Sequence, residues 1–436
     1  MKTRLLALVQ TLLLAAPAML PGADRKFFSG YAGKLPAREE DKARMYFNKP
    51  AVRALLARLE SGGADAADVN AALEGSGAAA GDLLRVGILR RDGERFSIGF
   101  SYFTAADMKK IYGVADRSAL SLSREFFRHK RDFDRILADY PVRTVPRSQL
   151  AFVLIAGFSL NWDGLDLTQR LGYRRPPLVE GEGFRYSFWA SEEVTGRDYR
   201  EFYWGSSTFP DAESGRGDPS AYSFSSFGDP ESDPRMNFPD LAYLSASDLA
   251  PGVRDAAERV GLHDTDEMGR HFQGILGGKL LHTISDVLFA LRKEPLPAER
   301  LRTLVGGDPA PILPLLEEIR YVDRDARGLY RLRVPVFDEP DRATVEKTIA
   351  LSREILGSWL ARHYPEMKRD LTDLTAVRAG LSFEAVFTQI WHEIFGEVTR
   401  ELARSGMIAS SSSPGVRYKG SFSVLWRQSL YAFSPG

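Results

Sequence analysis

The sequence contains no cysteine and only six histidines in 436 residues. The first absence removes disulfides, thiolate metal ligands and cysteine nucleophiles. It is silent on compartment, because exported proteins also fold without cysteine. Neither charge is in excess: Lys+Arg and Asp+Glu both number 58, so no global positive field holds nucleic acid or an anionic membrane, and any such grip must be local. A phosphate-cradling loop is missing, since Gly306-Gly307 lacks the Gly-Lys-Ser/Thr that would follow. A nucleophile elbow is missing too, because Gly157-Phe158-Ser159-Leu160-Asn161 ends in Asn where the turn needs Gly. Neither a catalytic nucleophile nor a cofactor is expected.

What is there is the composition of folded protein. With 44% apolar and 27% charged residues the chain can bury sizeable cores, and its length is about three times the commonest domain size, which points to two or more folding units. The N-terminus has the secretory layout: Lys2 and Arg4, an apolar run from Leu5 to Leu14, and the small-x-small pattern Ala16-Pro17-Ala18. We expect residues 1–23 to be a signal peptide, cleaved after Ala18 or Ala23, and the mature protein to be periplasmic or extracellular. The run is short and broken by Pro17 and Pro21, so it is not expected to anchor the chain, and no other stretch reads as a membrane span.

The chain repeats its pattern. A helical run (Val52, Leu55, Leu56, Leu59) ends at Ser61-Gly62-Gly63, a second helix covers Ala66 to Leu73, and a third follows Gly75-Ser76-Gly77 to about Val86. Two alternating runs around Asp92-Gly93 then have the form of a β-hairpin. About 230 residues further on the order recurs: Ile284 to Leu291, Pro297 to Val305, Ile312 to Ile319, and a hairpin from Arg320 to Leu332. Leu122-Ser123-Arg124-Glu125 returns as Leu351-Ser352-Arg353-Glu354, each expected to open an amphipathic helix. Apolar helices (Leu150 to Phe158; Phe383 to Phe395) and basic-aromatic runs (Phe184 to Trp189; Val416 to Phe422) follow in both copies. The expected fold is α+β and mainly helical: a tandem duplication, with lobes at 49–180 and 262–436 and an aromatic, loop-rich insertion at 181–245.

Three helices and a hairpin, over Lys49–Phe103 and His282–Phe337, resemble the winged helix-turn-helix superfamily. The resemblance implies DNA binding, with the third helix in the major groove and the hairpin wing on phosphates. This sequence departs from that pattern. The first reading helix, Gly77 to Arg85, offers only Arg85 as a cation, and the second, Asp308 to Glu318, offers carboxylates and no cation. The wings are richer: Arg90, Arg91 and Arg95 in one, and Arg324, Arg327 and Arg331 in the other, with Arg320 and Arg333 nearby. These are the phosphate contacts if DNA is bound. Asp92, Glu94, Asp323 and Asp325 lie among them and favour an ordinary mixed-charge surface.

The stretch from Gly181 to Leu244 is dense in aromatics beside carboxylates. Trp189, Glu192, Glu193, Tyr203 and Trp204 are the candidate ligand-binding residues, able to stack on and hydrogen-bond a sugar or peptide; the same aromatics could equally form the segment's own core. Metal constellations are thin. His263, Glu267 and His271 share helical spacing, but Asp264-Thr265-Asp266 reads as a helix start. His392-Glu393 with Glu397 lacks the second zinc-protease histidine, and Asp211, Glu213 and Asp218 do not match a calcium loop. No metal site is expected. The residues favour an exported, non-catalytic binding or scaffold protein with an unknown protein or glycan ligand. A cytosolic DNA-binding regulator, or a secreted enzyme using carboxylates near Trp189 and Trp204, are the alternatives.

Overall fold

The computed structural model describes residues 25–34, 36, 38–195, 205–210, 222–228, 279–305, 309–310, 312–318, 321–409 and 421–430. The fold is α+β and mainly helical. It divides into two compact units that do not follow chain order. Unit 1 takes residues 1–112, 172–196 and 366–390; unit 2 takes 113–171, 197–365 and 391–436.

Unit 1 opens with strand β1 (Phe27–Lys34) and four short helices, α1 (Ala43–Phe47), α2 (Pro50–Leu59), α3 (Ala66–Leu73) and α4 (Ala80–Arg85). Their boundaries follow local chemistry. Pro50 opens α2, where its missing N–H costs nothing. Asp65 caps α3 by accepting from the Asp68 N–H at 2.9 Å. Gly75 and Gly77 then adopt φ of 70° and 65°, a turn that side chains with a Cβ disfavour. The hairpin of β2 (Leu89–Asp92) and β3 (Arg95–Ile98) turns at Gly93 (φ 59°) and is tied to the α2–α3 connection by paired backbone bonds between Ala64 and Phe96. Val52, Leu55, Leu56, Leu59, Val69, Leu73 and Leu83 bury one stripe of each helix against Phe96 and Ile98.

After β4 (Ser101–Phe103) comes α5 (Ala105–Arg128), whose first residues, to Tyr112, complete unit 1 with β5 (Val179–Gly181) and β6 (Phe184–Glu192). Strand β6 pairs antiparallel with β1 and β5 and parallel with β4. Phe47, Phe100, Tyr102 and Phe188 pack as an aromatic core under this sheet, with ring centroids 5.1–6.0 Å apart. Residues from the C-terminal half close the unit. The Thr375 N–H donates to buried Asp107 at 3.1 Å, and Ser101 Oγ donates to the Ala385 carbonyl at 3.3 Å.

Unit 2 contains the rest of α5, α6 (Lys130–Leu137), α7 (Arg147–Arg170), β7 (Gly205–Pro210), β8 (Tyr222–Gly228), α8 (Lys279–Lys293), α9 (Ala298–Leu304), α10 (Leu313–Glu318), β9 (Val322–Arg324), β10 (Tyr330–Leu332) and β11 (Val336–Phe337). It ends with most of α11 (Arg342–Asp370), the second part of α13 (Phe383–Arg404) and β12 (Ser421–Arg427); α12 (Thr375–Arg378) belongs to unit 1. Leu296 and Tyr330 pair across the α8–α9 connection as Ala64 and Phe96 do in unit 1. The sheet runs β11-β12-β8-β7, with β11 parallel to β12 and the other pairs antiparallel. Tyr140 Oη donates to the Val336 carbonyl at 3.0 Å and accepts from its N–H at 2.9 Å. Burial of that hydroxyl, the largest effect, holds the Tyr140 pKa above the ordinary tyrosine value.

Helix α7 is the core of unit 2. From Phe152 to Asp163 every residue is buried, and the backbone widens to i→i+5 turns. Such turns are usually single. Asp163 accepts from two of the Arg353 guanidinium nitrogens, Nε at 3.1 Å and Nη2, which neutralises a carboxylate that burial would otherwise penalise. This helix is long and apolar enough to cross a membrane by length and composition, which corrects the expectation that no second stretch would qualify; 89% of its apolar window is buried within the protein.

One expectation changes, and two fall partly outside the described residues. Leu122-Ser123-Arg124-Glu125 and Leu351-Ser352-Arg353-Glu354 open no helix; they lie well inside α5 and α11. Of the expected run Val416 to Phe422, residues 416–420 lie outside the described residues, and the described strand is Ser421–Arg427. In the 181–245 stretch the described residues are largely strand, with β6 in the sheet of unit 1 and β7 and β8 in that of unit 2; the rest of the expected insertion lies outside the described residues. On β6 Tyr186 and Phe188 are buried and Phe184 and Trp189 half-buried, sheet positions for which aromatic side chains are well suited.

Candidate functional site

Helix α4 has six residues, and its one cation, Arg85, is engaged. Its guanidinium pairs with Asp41, donates to the Glu40 carbonyl at 2.9 Å and to Tyr46 Oη at 3.2 Å, and lies 3.5 Å from Asp82. Burial opposes that charge, but Tyr46, Asp41 and Asp82 outweigh it and hold the arginine pKa above its ordinary value. On the wing, Arg90 Nε donates to Ser97 Oγ at 2.8 Å and Nη1 to the Gly380 carbonyl at 2.7 Å. Arg91 Nε donates to the Gly93 carbonyl at 2.8 Å while its guanidinium covers the Phe96 ring, and Arg95 donates to the Gly63 carbonyl.

In unit 2, α10 carries no basic residue. Arg324 lies 3.6 Å from Glu317 and over Tyr330, Arg331 pairs with Asp325, and Arg333 lies 3.5 Å from Asp323. The Asp325 carboxyl is held below the usual range, chiefly by the Leu329 N–H. Arg327 is the one expected wing arginine whose guanidinium has no acceptor among the described residues. Neither reading helix presents an unengaged cation.

The candidate ligand residues fall on strand β6. Trp189 sits opposite Gly30 in the register, and its indole occupies the space a Cβ at Gly30 would need, 2.5 Å from Cζ2. Side chains alternate along a strand, so Trp189 and Glu192, three apart, point to opposite faces and do not form one subsite. Glu192 accepts from Arg25 Nε at 2.8 Å and from the Ala105 N–H, the first of α5, at 2.7 Å. Arg25 also pairs with Glu60, and Tyr102 Oη donates to Glu60 at 2.7 Å. Glu193 is exposed, with its N–H donating to the Lys26 carbonyl at 2.9 Å. Tyr203 and Trp204 lie outside the described residues, as do the signal segment 1–23, His263, Glu267, His271, Asp211, Glu213 and Asp218.

Arg25, Glu60, Tyr102 and Glu192 form a charged network that the sequence did not announce. Burial alone would raise the Glu192 pKa, but the Arg25 hydrogen bond, the Ala105 N–H and the Arg25 charge outweigh it and bring it below the ordinary value. The Glu192 hydrogen bond, acting against burial, raises Arg25. Burial, reinforced by Glu60, pushes the Tyr102 phenol up. At neutral pH the network is therefore a fixed set: ionised Glu192, charged Arg25 and neutral Tyr102. None of these three shifts moves its group toward neutrality, where general acid–base catalysis works best. The arrangement anchors the N-terminal segment to the start of α5.

Among the described residues no group of acidic and histidine side chains is placed to hold a metal. Glu397 is buried and paired with Arg400 at 3.2 Å. A cavity of about 150 Å³ in unit 2 has Phe133, Leu137, Ile155 and Met407 as apolar lining and Lys130 and Arg147 as cations. Comparison with protein families, curated proteins and solved structures finds no match.

Proposed function

We propose that the chain is an exported, non-catalytic binding scaffold built as a tandem repeat of a winged-helix-like unit. The observation that carries the reading is the state of the reading helices: α4 spends its only cation on Asp41 and Tyr46, and α10 has none. Phosphate recognition needs several free cations acting together. Five of the six expected wing arginines likewise have acceptors within the protein.

The repeat is supported by matching order and pairing. In each half three helices lead to a hairpin, and the next strand runs parallel to a central strand that pairs antiparallel with another: β4-β6-β1 in one half, β11-β12-β8 in the other. Asp107 accepts from the Thr104 N–H and Asp341 from the Asp338 N–H, capping α5 and the turn before α11. They stand 234 residues apart (341 minus 107), as do Gly172 and Gly406 (406 minus 172), which end α7 and α13 with φ of 75° and 71°.

Salt-dependent binding to random duplex DNA tests the carrying observation. The purified protein is expected to show none between about 50 and 200 mM salt, and a steep loss of affinity with salt would restore the regulator reading. Export is tested separately, by fractionation and N-terminal sequencing. The mature chain is expected to begin after Ala18 or Ala23, and a cytoplasmic product starting at Met1 would remove it.

A further inference from the structure

Helices α5 and α6 carry Leu120, Arg124, Phe127 and Arg131 at i, i+4, i+7 and i+11, all exposed. That spacing is one helical face. His129 joins the two helices with little break: its N–H donates to the Phe126 carbonyl, and its own carbonyl accepts from Phe133. Phe126 and Phe133 stack on the buried side with centroids 5.8 Å apart, which keeps the face continuous across the joint. Leu120 and Phe127 are 49% and 45% exposed, about 10 Å apart at 1.5 Å per residue.

The charges around this face are sorted. Arg128 pairs with Glu125 at 2.8 Å, Lys130 with Asp134 at 2.6 Å and Arg135 with Asp132 at 3.4 Å. Arg124 and Arg131, which alternate with the apolar residues, have no ion pair among the described residues. The positions 234 further along, on α11, are Glu354, Ser358, Ala361 and Pro365, equally exposed and neither apolar-aromatic nor doubly basic. The architecture therefore does not require a leucine, a phenylalanine and two arginines there. This comparison rests on the proposed repeat; the ion-pair argument does not.

We propose that the Leu120-Arg124-Phe127-Arg131 face docks an acidic amphipathic helix of a partner protein, which lays apolar residues on Leu120 and Phe127 and carboxylates on the two unpaired arginines. Helix-on-helix recognition uses this anchor spacing. An anionic bilayer fits less well, because polybasic attraction takes some four to eight cations and the flanking ones here are neutralised.

The probe is a fluorescent helical peptide of about 18 residues, with two leucines seven positions apart and glutamates between them on the same edge. It is titrated into the full-length protein by anisotropy. Binding in about the micromolar range is expected. It should weaken about tenfold or more in the triple variant Leu120→Glu, Arg124→Ser, Phe127→Ala, which installs the α11 residues. Arg124→Glu alone should weaken binding and be rescued when the facing glutamate of the peptide is changed to lysine. The proposal is overturned if the parent protein does not bind the peptide, if the triple variant binds it equally while its melting curve is unchanged, or if the lysine peptide shows no rescue. Phosphatidylglycerol vesicles that bind the parent and not the triple variant, with no peptide binding, would replace it by a membrane surface. DNA binding or failed export would leave these results standing, so the two readings fail separately.

Discussion

Glu192 illustrates at the scale of one residue how an acid in an aromatic-rich strand becomes structural. Its carboxylate joins Arg25 to the first N–H of α5, where the partial positive charge of a helix start also favours an anion. Its pKa is lowered in the fold because Arg25 and the Ala105 N–H outweigh the effect of burial. The unfolded chain therefore takes up the proton more readily. The stabilisation is complete above the unfolded value of about 4.3 and disappears as pH falls through the lower folded value. Glu192→Gln is expected to cost about 1–3 kcal/mol at pH 7. The gap between variant and parent should shrink on going to about pH 3. Urea unfolding at both pH values measures it, and a gap independent of pH would mean that the charge is not what holds Arg25. The acid and aromatic density of this strand was legible in the sequence; its use was not, because Arg25 reaches Glu60 and Glu192 across 35 and 167 residues. Strand parity separates Trp189 from Glu192, and that follows from their spacing alone once the run is a strand, whereas the approach of Trp189 to Gly30 requires the register, which no local pattern supplies.

Elements were read well wherever local chemistry ends them. Helix α3 spans Ala66–Leu73 as expected, because Asp65 caps it and two glycines follow, and the first hairpin turns at Asp92-Gly93. The repeated letters Leu-Ser-Arg-Glu misled because identity is not position: they are 229 apart (351 minus 122), five out of step with the capping aspartates. Burial keeps the proposed step instead, with Leu122 and Leu356, and Phe126 and Leu360, all buried at the 234 spacing (356 minus 122). Packing between α7 and α13 was invisible for a similar reason. Gly164 leaves room for the Trp391 ring, where a Cβ would come within 2.9 Å of Cζ2, and the indole N–H is fixed on the Leu160 carbonyl at 3.0 Å. Alanine gains about 1 kcal/mol over glycine in a helix. Overpacking a buried ring costs about 1–3 kcal/mol, so Gly164→Ala is expected to be net destabilising by up to about 2 kcal/mol. Gly357→Ala on α11, with nothing within 4 Å, should instead stabilise by up to about 1 kcal/mol. Thermal melts of both variants check the pair, and equal gains would show that Trp391 yields to the methyl.

For the whole molecule the division of the chain matters more than either half. Unit 1 includes 366–390, from the C-terminal half, and unit 2 includes 113–171, from the N-terminal half. Each half therefore lacks part of the unit that holds most of it. Without Thr375 the buried Asp107 loses a hydrogen bond, and without Tyr140 both polar groups of buried Val336 lose theirs. Unsatisfied buried polar groups cost about 1–3 kcal/mol each, a large share of the stability of an ordinary domain. Asp163 likewise pairs with Arg353 across the two halves of the sequence. A chain divided at position 250 is therefore expected to give fragments that do not melt cooperatively alone but copurify and melt cooperatively when coexpressed. Tagging one fragment and following its partner through purification measures this directly. A C-terminal fragment that melts alone at the parental temperature would mean that the exchanged segments contribute little, and the two halves would then be independent domains joined only by the chain.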